Sequence, residues 1–257
     1  MNSDKKHRLG IISALVEEQA GLIEAMQGPA TLPYGMRTYT RGDLWGIDAV
    51  CVLSRIGKVA AAMTAATLVE KFGVTHIVFT GVAGSGDASV RVGDIVVADA
   101  LVQHDMDARP LFPRFEVPLT GLSCFQSDRA LSDVLADEAS NFLRRDLTAV
   151  LGAAVMKEFG LNQPAMHRGL IGSGDQFIHS RQRLSELKAA LPDLLAVEME
   201  GAAVAQVCFE LGIAFTVMRT VSDNANEDAP LDFTRFVRTV ASHYAFNVVK
   251  NLCHRLA

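Results

Sequence analysis

Short apolar runs alternate with amphipathic runs along nearly the whole chain. The runs that we predict to be strands are Leu9–Leu15, Trp45–Leu53, His76–Thr80, Asp94–Val102, Gly169–Gly172, Leu194–Val197 and Ala214–Val221. The runs with helical spacing are Glu17–Met26, Lys58–Phe72, Asp128–Phe159, Arg181–Leu191, Ala202–Leu211 and Phe233–Leu256. This alternation predicts an α/β fold in three layers, with a parallel or mixed central sheet flanked by helices on both faces.

The chain is long enough to bury a sizeable core, and nothing in it suggests a division. Its 257 residues contain no internal repeat, no low-complexity tract and no linker rich in Pro, Gly or Ser. We therefore predict a single domain covering residues 1–257. The longest irregular stretch is Asp105–Gly121, which is braced by three prolines. Loops of this length in compact domains commonly serve binding or assembly.

Composition argues against several functional classes. A net charge of −5 with scattered Lys and Arg gives no electrostatic footprint for nucleic acid. The one basic cluster, Lys5-Lys6-His7-Arg8, is too small to indicate a membrane-binding surface. Four cysteines stand far apart without a CxxC pair, which favours reduced core residues. The apolar run Leu9–Val16 is too short to span a membrane and lacks a cleavage site after it, so we expect a cytoplasmic protein.

Acidic residues follow several of the predicted strands. Glu198 and Glu200 lie two apart in an otherwise apolar segment, Asp223 follows the last predicted strand, and Glu18 follows the first. An isolated ionised carboxylate is costly in a buried core unless something binds it. Sheets of this class bind ligands at the carboxyl ends of their strands, so the pattern indicates a ligand site. Structural explanations stay open: an ion pair at Glu200 and helix N-terminal roles for Asp223 and Glu18.

The segment Thr80–Gly86 is a glycine-rich turn directly after a predicted strand. Its glycines permit close approach of the backbone to a ligand. Their order is GxxGxG, and a further strand follows in place of a crossover helix, which argues against a dinucleotide-binding fingerprint. A plain turn between packed strands explains the glycines equally well. Gly57-Lys58 lacks the flanking residues of a P-loop.

Two further segments bear on ligands. Phe177, in the turn Ser173–Ile178, is placed to stack on a flat base, although a core aromatic is the commoner explanation. The segment His104-Asp105-Met106-Asp107 has no partner His or Cys at a metal-binding spacing, so we favour a surface loop there. The sequence therefore predicts neither a metal nor a cofactor.

Seven segments, taken in chain order, carry a resemblance to a known family. They are Gly10–Ala14 with Glu17-Glu18, Ser54–Val59, Thr80–Gly84, Val92–Val97, Ser173–Ile178, Val197–Glu200 and Arg219–Asp223. Together they closely resemble the 5′-methylthioadenosine/S-adenosylhomocysteine nucleosidases of the purine/uridine phosphorylase superfamily, from about residue 8 to residue 250. The resemblance implies a single-domain nucleoside-phosphorylase-like fold. It also implies a hydrolase that cleaves the N-glycosidic bond of an adenine nucleoside without a cofactor.

The resemblance assigns catalytic roles to three carboxyl groups. Glu18 would activate the attacking water, Asp223 would protonate N7 of adenine, and Glu200 would bind the ribose hydroxyls beside Met199. The chemistry suits these residue types, because glycosidic cleavage passes through an oxocarbenium-like sugar that a carboxylate stabilises. Adenine leaves more readily when it is protonated, and a buried carboxyl such as Asp223 suits that acid role.

The other matched positions would bind the substrate. Phe177 would stack on the base, and the backbone of Ile178 would read the adenine edge. Gly84 would lie in the loop beside the ribose. Ser222 and Arg219 would support the catalytic acid and the floor of the site.

Two positions depart from the pattern of the superfamily's phosphorylases. Those enzymes carry an Arg two residues before the loop glycine and a hydroxyl just after it, where this chain has Phe79 and Val82. An apolar pair can neither neutralise phosphate nor hydrogen-bond it, which favours water as the nucleophile. Many nucleosidases keep Ser at the Val82 position, so we expect the ribose contacts there to differ.

The loop 104–118 also differs from the commonest version in the family. It resembles the region that contributes to the family's dimer contact and 5′-substituent pocket. We predict a homodimer in which Leu111 and Phe112 close the partner's 5′ pocket, because large exposed apolar side chains on a loop are more expected at an interface. The preference between methylthioadenosine and S-adenosylhomocysteine stays open.

Three rival functions stay open as well. Aminofutalosine hydrolysis shares the fold, and some relatives with a Gln-His-Asp loop perform it; this chain has Gln103-His104-Asp105. A purine nucleoside phosphorylase is disfavoured by Phe79 and Val82. A non-catalytic nucleoside-binding domain is disfavoured because binding alone requires no acid–base pair.

Overall fold

The computed structural model describes residues 7–226 and 228–257, so Lys5 and Lys6 of the basic cluster lie outside the described residues. Strands and helices alternate as the sequence predicts. The strands are β1 (Arg8–Ser13), β2 (Gln27–Tyr34), β3 (Arg37–Leu44), β4 (Ile47–Leu53), β5 (His76–Ser85), β6 (Ile95–Gln103), β7 (Phe125–Gln126), β8 (Met166–Ser173), β9 (Leu194–Glu198) and β10 (Ala214–Asp223).

Helices connect most of these strands. They are α1 (Val16–Gln19), α2 (Leu22–Ala25), α3 (Lys58–Phe72), α4 (Arg129–Asn141), α5 (Leu147–Glu158), α6 (Arg181–Ala190), α7 (Gly201–Leu211), α8 (Ala229–Phe236) and α9 (Ser242–Leu256). A π-helical turn, Phe142–Asp146, joins α4 to α5, and another, Val237–Ala241, joins α8 to α9. Each of the two longest predicted helices is therefore interrupted by a π-helical turn.

Part of the sheet closes on itself. Its strands follow the order β10-β6-β8-β9-β5-β1-β4-β3-β2, and β10 pairs again with β5. The strands β5, β9, β8, β6 and β10 thus form a closed ring, while β1, β4, β3 and β2 extend the sheet beyond it. Strands β1, β4, β5 and β10 are parallel, whereas β9 is antiparallel to β5 and β6 is antiparallel to β10. The predicted mixed sheet is confirmed.

Helices cover both faces of the sheet, as predicted. One core cluster joins the sheet to α3 and α7 through small side chains such as Ala65 and Ala205. A second cluster joins the other face to α4 and α9 through larger side chains such as Leu135 and Tyr244. Because both faces are buried, strands such as β5 are buried along most of their length and show no alternation of buried and exposed residues.

The register of three strands brings distant segments together at one place. Gly84 near the end of β5 pairs with Asp223 of β10 on one side and with Val197 of β9 on the other. Strands β9 and β5 are antiparallel, and Val197 and Ala196 pair with Gly84 and Ser85 at the carboxyl end of β5. The end of β9 therefore reaches the carboxyl ends of β5 and β10 through antiparallel pairing, and not through the common parallel edge that the sequence suggested.

The structure differs from the predicted elements in two places near the start of the chain. The hairpin formed by β2 and β3 was not predicted, because Gly28, Pro29 and Pro33 make its first strand resemble a loop. All eight residues of β2 are exposed, as is usual for an edge strand that tolerates proline. The predicted helix Glu17–Met26 is divided between α1 and α2 because Gly21 has a φ of 85°, which a helix does not allow.

Within residues 7–226 and 228–257, no helix has the length and apolar character needed to cross a membrane.

Candidate active site

A cavity of about 350 Å³ opens where the ends of β1, β5, β9 and β10 meet. Most of the predicted site residues line it, namely Glu18, Gly84, Phe177, Ile178, Met199, Glu200 and Asp223. Ser222 and Arg219 are buried behind its wall. Val82, where the ribose contacts were expected to differ, also lines it, and several lining residues were not predicted as part of a site, among them Ala14, Leu15, Ile56, Gln176 and Phe233.

Glu18 lies in α1, just after β1, and its side chain lines the cavity. Its Oε2 accepts hydrogen bonds from the backbone N–H groups of Ala14 at 2.8 Å and Leu15 at 2.9 Å. Its Oε1 accepts from the N–H of Val82 at 3.0 Å. Burial raises the pKa of Glu18, while the Arg219 guanidinium opposes that rise. The neighbouring Glu17 is exposed, so the structure places Glu18, and not Glu17, in the site.

Gly81 leaves room for the side chain of Glu18 because it has no Cβ atom. A Cβ atom at Gly81 would lie 2.8 Å from Glu18 Oε1 and 3.0 Å from Arg219 Nη1. Any larger residue would therefore displace the carboxylate or the guanidinium. Sequence reasoning noticed the glycine-rich turn but had no means of identifying the partner of this glycine, because Glu18 and Arg219 come from distant parts of the chain.

The ion pair considered for Glu200 is formed instead by Glu198. Arg219 donates to Glu198 Oε2 from Nη2 at 2.5 Å and from Nε at 3.2 Å. The guanidinium carbon also lies 4.0 Å from the centre of the Phe79 ring. Glu198 further accepts from the backbone N–H of Gly201 at 2.9 Å and from the Ser173 hydroxyl. Arg219, predicted to support Asp223, thus binds the carboxylate at the end of β9.

Glu200 occupies the N-cap position of α7 and faces the cavity. Its Oε1 accepts a hydrogen bond from the backbone N–H of Gly57 at 2.8 Å. Burial, together with the negative charge of Glu198, raises the pKa of Glu200 to about 8. Glu200 is therefore a carboxyl group that holds its proton more tightly than usual, at the wall of an apolar cavity.

Asp223 is 2% exposed and is held from two directions. The Ser222 hydroxyl donates to its Oδ2 at 2.8 Å, and the N–H of Ala225 donates to its Oδ1 at 2.9 Å. A Cβ atom at Gly84 would lie 3.0 Å from Asp223 Oδ1, so a larger residue there would press on the carboxyl group. The alternative of a helix N-cap at Asp223 was wrong, because α8 begins only at Ala229 and its N-cap is Asp228.

Aromatic side chains form the outer wall of the cavity. Phe177 is 41% exposed, and its ring meets that of Phe233 edge to face, with ring centres 5.8 Å apart. Ile178, next to Phe177, is buried. The sequence analysis placed Phe233 only on the apolar face of the closing helix. Its position at the start of that predicted helix could have indicated that it lines the site. An exposed ring braced by a second ring offers a flat apolar surface to a planar ligand.

The loop after β6 is fixed at its start by an ion pair. Lys58 Nζ lies 2.6 Å from Asp105 Oδ1. Further along, Leu111 is 83% exposed and Leu119 is 92% exposed, while Phe112 is half-buried. The expectation that Leu111 and Phe112 are both exposed was therefore wrong for Phe112. Across residues 7–226 and 228–257, no cluster of three or more His, Cys, Asp or Glu has the arrangement of a metal site.

Comparison with known proteins finds relatives that are similar over nearly the whole chain. The profile of the Phosphorylase superfamily matches residues 8–253. The 5′-methylthioadenosine/S-adenosylhomocysteine nucleosidase of Shewanella denitrificans is 35% identical over 242 residues, which cover 94% of this chain and 97% of that protein.

Solved structures show the same relationship. The 5′-methylthioadenosine/S-adenosylhomocysteine nucleosidase of Colwellia psychrerythraea, in complex with adenine, has a TM-score of 0.84 at 32% identity and covers 98% of this chain and 96% of that one. The futalosine hydrolase of Helicobacter pylori has a TM-score of 0.81 at 30% identity and covers 96% of this chain and 97% of that one. The chain thus belongs to the 5′-methylthioadenosine/S-adenosylhomocysteine nucleosidase family of the phosphorylase superfamily.

Proposed function

We propose that this protein hydrolyses the N-glycosidic bond of 5′-methylthioadenosine, S-adenosylhomocysteine or both, and releases adenine. The observation that carries the proposal is the meeting of three buried carboxyl groups, Glu18, Glu200 and Asp223, on the wall of one apolar cavity. Burying three carboxyl groups together costs free energy that their hydrogen bonds offset only in part, and such groups on one cavity wall are typical of a functional site. Pairs of titratable groups in different surroundings are typical of acid–base catalysis.

Asp223 is the general acid in this proposal. It would protonate N7 of adenine as the glycosidic bond breaks, so that the base leaves neutral. The Ser222 hydroxyl at 2.8 Å and the Ala225 N–H at 2.9 Å hold its two oxygens in place. Phe177 would stack on the adenine ring, and the backbone of Ile178 would contact the adenine edge. A base clamped in this way puts N7 within reach of a fixed acid.

Glu200 and Met199 would hold the ribose. As the bond breaks, positive charge develops on the sugar, and a carboxylate in a water-poor cavity stabilises that charge strongly. The raised pKa of Glu200 means that the group can donate to one ribose hydroxyl when protonated and accept from another when ionised.

Glu18 is the base that would activate water. Three backbone N–H groups orient its carboxylate towards the cavity, and burial raises its pKa towards the range useful for a general base. Phe79 is buried beneath Arg219, and Val82 presents only an apolar side chain to the cavity. Phosphate would find neither a cation nor a hydroxyl from these two positions, which supports water as the nucleophile.

Adenine release separates the candidate reactions. The protein is incubated with 5′-methylthioadenosine in phosphate-free buffer, then with added phosphate, and adenine and the sugar product are quantified. We expect adenine and free methylthioribose at a rate that phosphate does not change. A strict phosphate requirement with a sugar 1-phosphate product would indicate a phosphorylase, and no adenine at all would indicate a binding domain. Parallel incubation with aminofutalosine tests the rival hydrolase.

We also infer that the working unit is a homodimer. The exposed Leu111 and Leu119 on the loop 105–121 support an interface there, because large apolar side chains on one loop are more expected at an interface than in water. In a two-fold dimer this loop would close the 5′ end of the partner's cavity. Four free cysteines, three of them buried, support a reducing location such as the cytoplasm.

A further inference from the structure

Glu200 depends on a residue outside its own helix for its position. The N–H of Gly57 donates to Glu200 Oε1 at 2.8 Å, although the two residues are 143 positions apart in the chain. Gly57 has φ 98° and ψ 158°, a conformation that a residue with a side chain rarely adopts. Whatever fixes the backbone at Gly57 therefore also fixes the carboxylate that would hold the ribose.

Lys58, the first residue of α3, is held through both its backbone N–H and its side-chain ammonium group. Its backbone N–H donates to Asp175 Oδ1 at 2.8 Å. Its Nζ donates to Asp105 Oδ1 at 2.6 Å and to Gln103 Oε1 at 3.0 Å. Asp105 Oδ2 in turn accepts from the N–H of Asp175 at 2.9 Å. Three segments, the start of α3, the turn after β8 and the loop after β6, thus converge on one lysine.

The ion pair within this cluster is well protected from water. The side chains of Lys58 and Asp105 are each 16% exposed. Burial alone would raise the pKa of Asp105, but the hydrogen bond and charge of Lys58, together with the hydrogen bond from the Asp175 N–H, hold that pKa below its usual value. A partly buried, hydrogen-bonded pair fixes geometry more firmly than an exposed one.

The cluster also reaches the helix that carries Glu200. Gln103 Nε2 donates to Gln206 Oε1 at 2.7 Å, and Gln206 lies on α7. Lys58 follows Gly57 in the chain, and Gln206 lies on the helix that Glu200 caps. The contacts of Gln103 with Lys58 and with Gln206 therefore link the two partners of the Gly57–Glu200 hydrogen bond. The loop that begins at Asp105 is linked in this way to the carboxylate at the ribose position.

We propose that Lys58 is a positioning residue for the substrate's ribose: paired with Asp105, it holds the Gly57 N–H against Glu200. This inference rests on the proposed role of Glu200 as the ribose ligand. It predicts a specific defect, because a change confined to the side-chain cation of Lys58 would release Glu200 while Asp105 still accepts from the Asp175 N–H in the turn that carries the base-site residues Phe177 and Ile178.

The test compares two ligands in wild type and Lys58→Met. Adenine occupies only the base site, whereas 5′-methylthioadenosine also needs the ribose ligand. We expect KM for 5′-methylthioadenosine to rise about tenfold, the scale of a lost hydrogen bond to a charged group, while the Kd of adenine by calorimetry stays within about twofold. Asp105→Asn should give the same pattern, and Lys58→Arg, which keeps the cation, should restore part of the affinity.

The matched control is Lys188→Met. Lys188 forms a partly exposed ion pair with Asp87, at 2.5 Å, and neither residue lines the cavity. It should leave both constants unchanged. In a Glu200→Gln background, Lys58→Met should add little further loss, because both changes act on the same contact.

Other outcomes overturn the inference. A loss of adenine affinity as large as the rise in KM for 5′-methylthioadenosine would show general damage to the site. An unchanged KM in Lys58→Met would show that the Lys58–Asp105 pair holds the loops together without positioning Glu200. Multiplied losses in the double variant would also contradict it. If Lys58→Met does not fold, Asp105→Asn carries the same comparison. Absence of adenine release by wild type would refute the proposed function alone, and the Kd of 5′-methylthioadenosine would then replace KM.

Discussion

Each of the carboxyl groups on the cavity wall has different surroundings. Glu18 accepts three backbone N–H groups, whereas Asp223 accepts one N–H and one hydroxyl. Glu200 accepts one N–H and lies close to the charge of Glu198. Burial raises the pKa of both Glu18 and Glu200, so the different roles proposed for the three groups rest on their positions and hydrogen-bond partners.

The acid role of Asp223 is tested by Asp223→Asn. The amide keeps the shape of the side chain but has no acidic proton for adenine N7. We expect kcat to fall by about 100-fold or more, the scale of general-acid assistance, with little change in the Kd of adenine. Single-turnover kinetics and calorimetry measure the two quantities. A variant with near wild-type kcat would remove Asp223 from the reaction.

The base role of Glu18 is tested against its neighbour. Glu18→Gln should lower kcat by about 10²–10⁴-fold, because an amide cannot accept the proton of the attacking water. Glu17→Gln is the control, since Glu17 is exposed and lies outside the cavity. Similar large losses in both variants would mean that the wrong carboxylate has been assigned.

The pKa of Glu200 makes stability depend on pH. Its folded-state value of about 8 lies above the ordinary value of 4.5, so the folded state binds the proton more tightly between these limits. Its contribution to stability is complete at low pH and is lost as pH rises towards 8. Glu200→Gln removes this loss, so its Tm relative to wild type should increase from pH 5 to pH 8. A Tm difference that does not vary with pH would contradict the assignment.

Sequence reasoning located the carboxyl groups but not their supports. Acidic residues after strands are visible in the sequence because they interrupt apolar runs. The contacts of Gly57 with Glu200 and of Gly81 with Glu18 are not visible, since each joins segments that only the folded sheet brings together. The exchange of roles between Glu198 and Glu200 had the same cause, because the position of Arg219 depends on strand register.

At the level of elements, a buried ion pair connects β9 to β10. The side chains of Glu198 and Arg219 are 3% and 1% exposed. Glu198→Gln should lower the free energy of unfolding by about 3 kcal/mol, because it leaves a buried guanidinium without its paired charge. Urea unfolding measures the loss. Asp107→Asn, which breaks an exposed pair with Arg109, should leave the midpoint unchanged, and equal shifts in both variants would contradict this account.

The elements were predictable where their patterns were strong. Helix α3 was predicted with its observed bounds, because its apolar spacing is regular and Gly73 ends it in a left-handed conformation. The edge strand β2 was missed because its prolines and exposed side chains carry no strand pattern. The π-helical turn Phe142–Asp146 was missed because it hardly alters helical periodicity.

For the whole molecule, the central prediction is the dimer. Leu111→Asp should weaken association and raise KM for 5′-methylthioadenosine together, because a charge would be buried where the loop meets the partner. Sedimentation and steady-state kinetics measure the two effects. Leu32→Asp, on the edge strand β2, is the control and should leave both unchanged. A fully active wild-type monomer at micromolar concentration would contradict the prediction.

Hydrolysis itself is tested most directly with labelled water. Wild-type protein is incubated with 5′-methylthioadenosine in ¹⁸O-water containing phosphate, and the sugar product is analysed by mass spectrometry. The account predicts free adenine and methylthioribose that carries one ¹⁸O atom at C1, measured rapidly enough to exclude exchange with the solvent. A sugar 1-phosphate, or a sugar that carries no label, would contradict it.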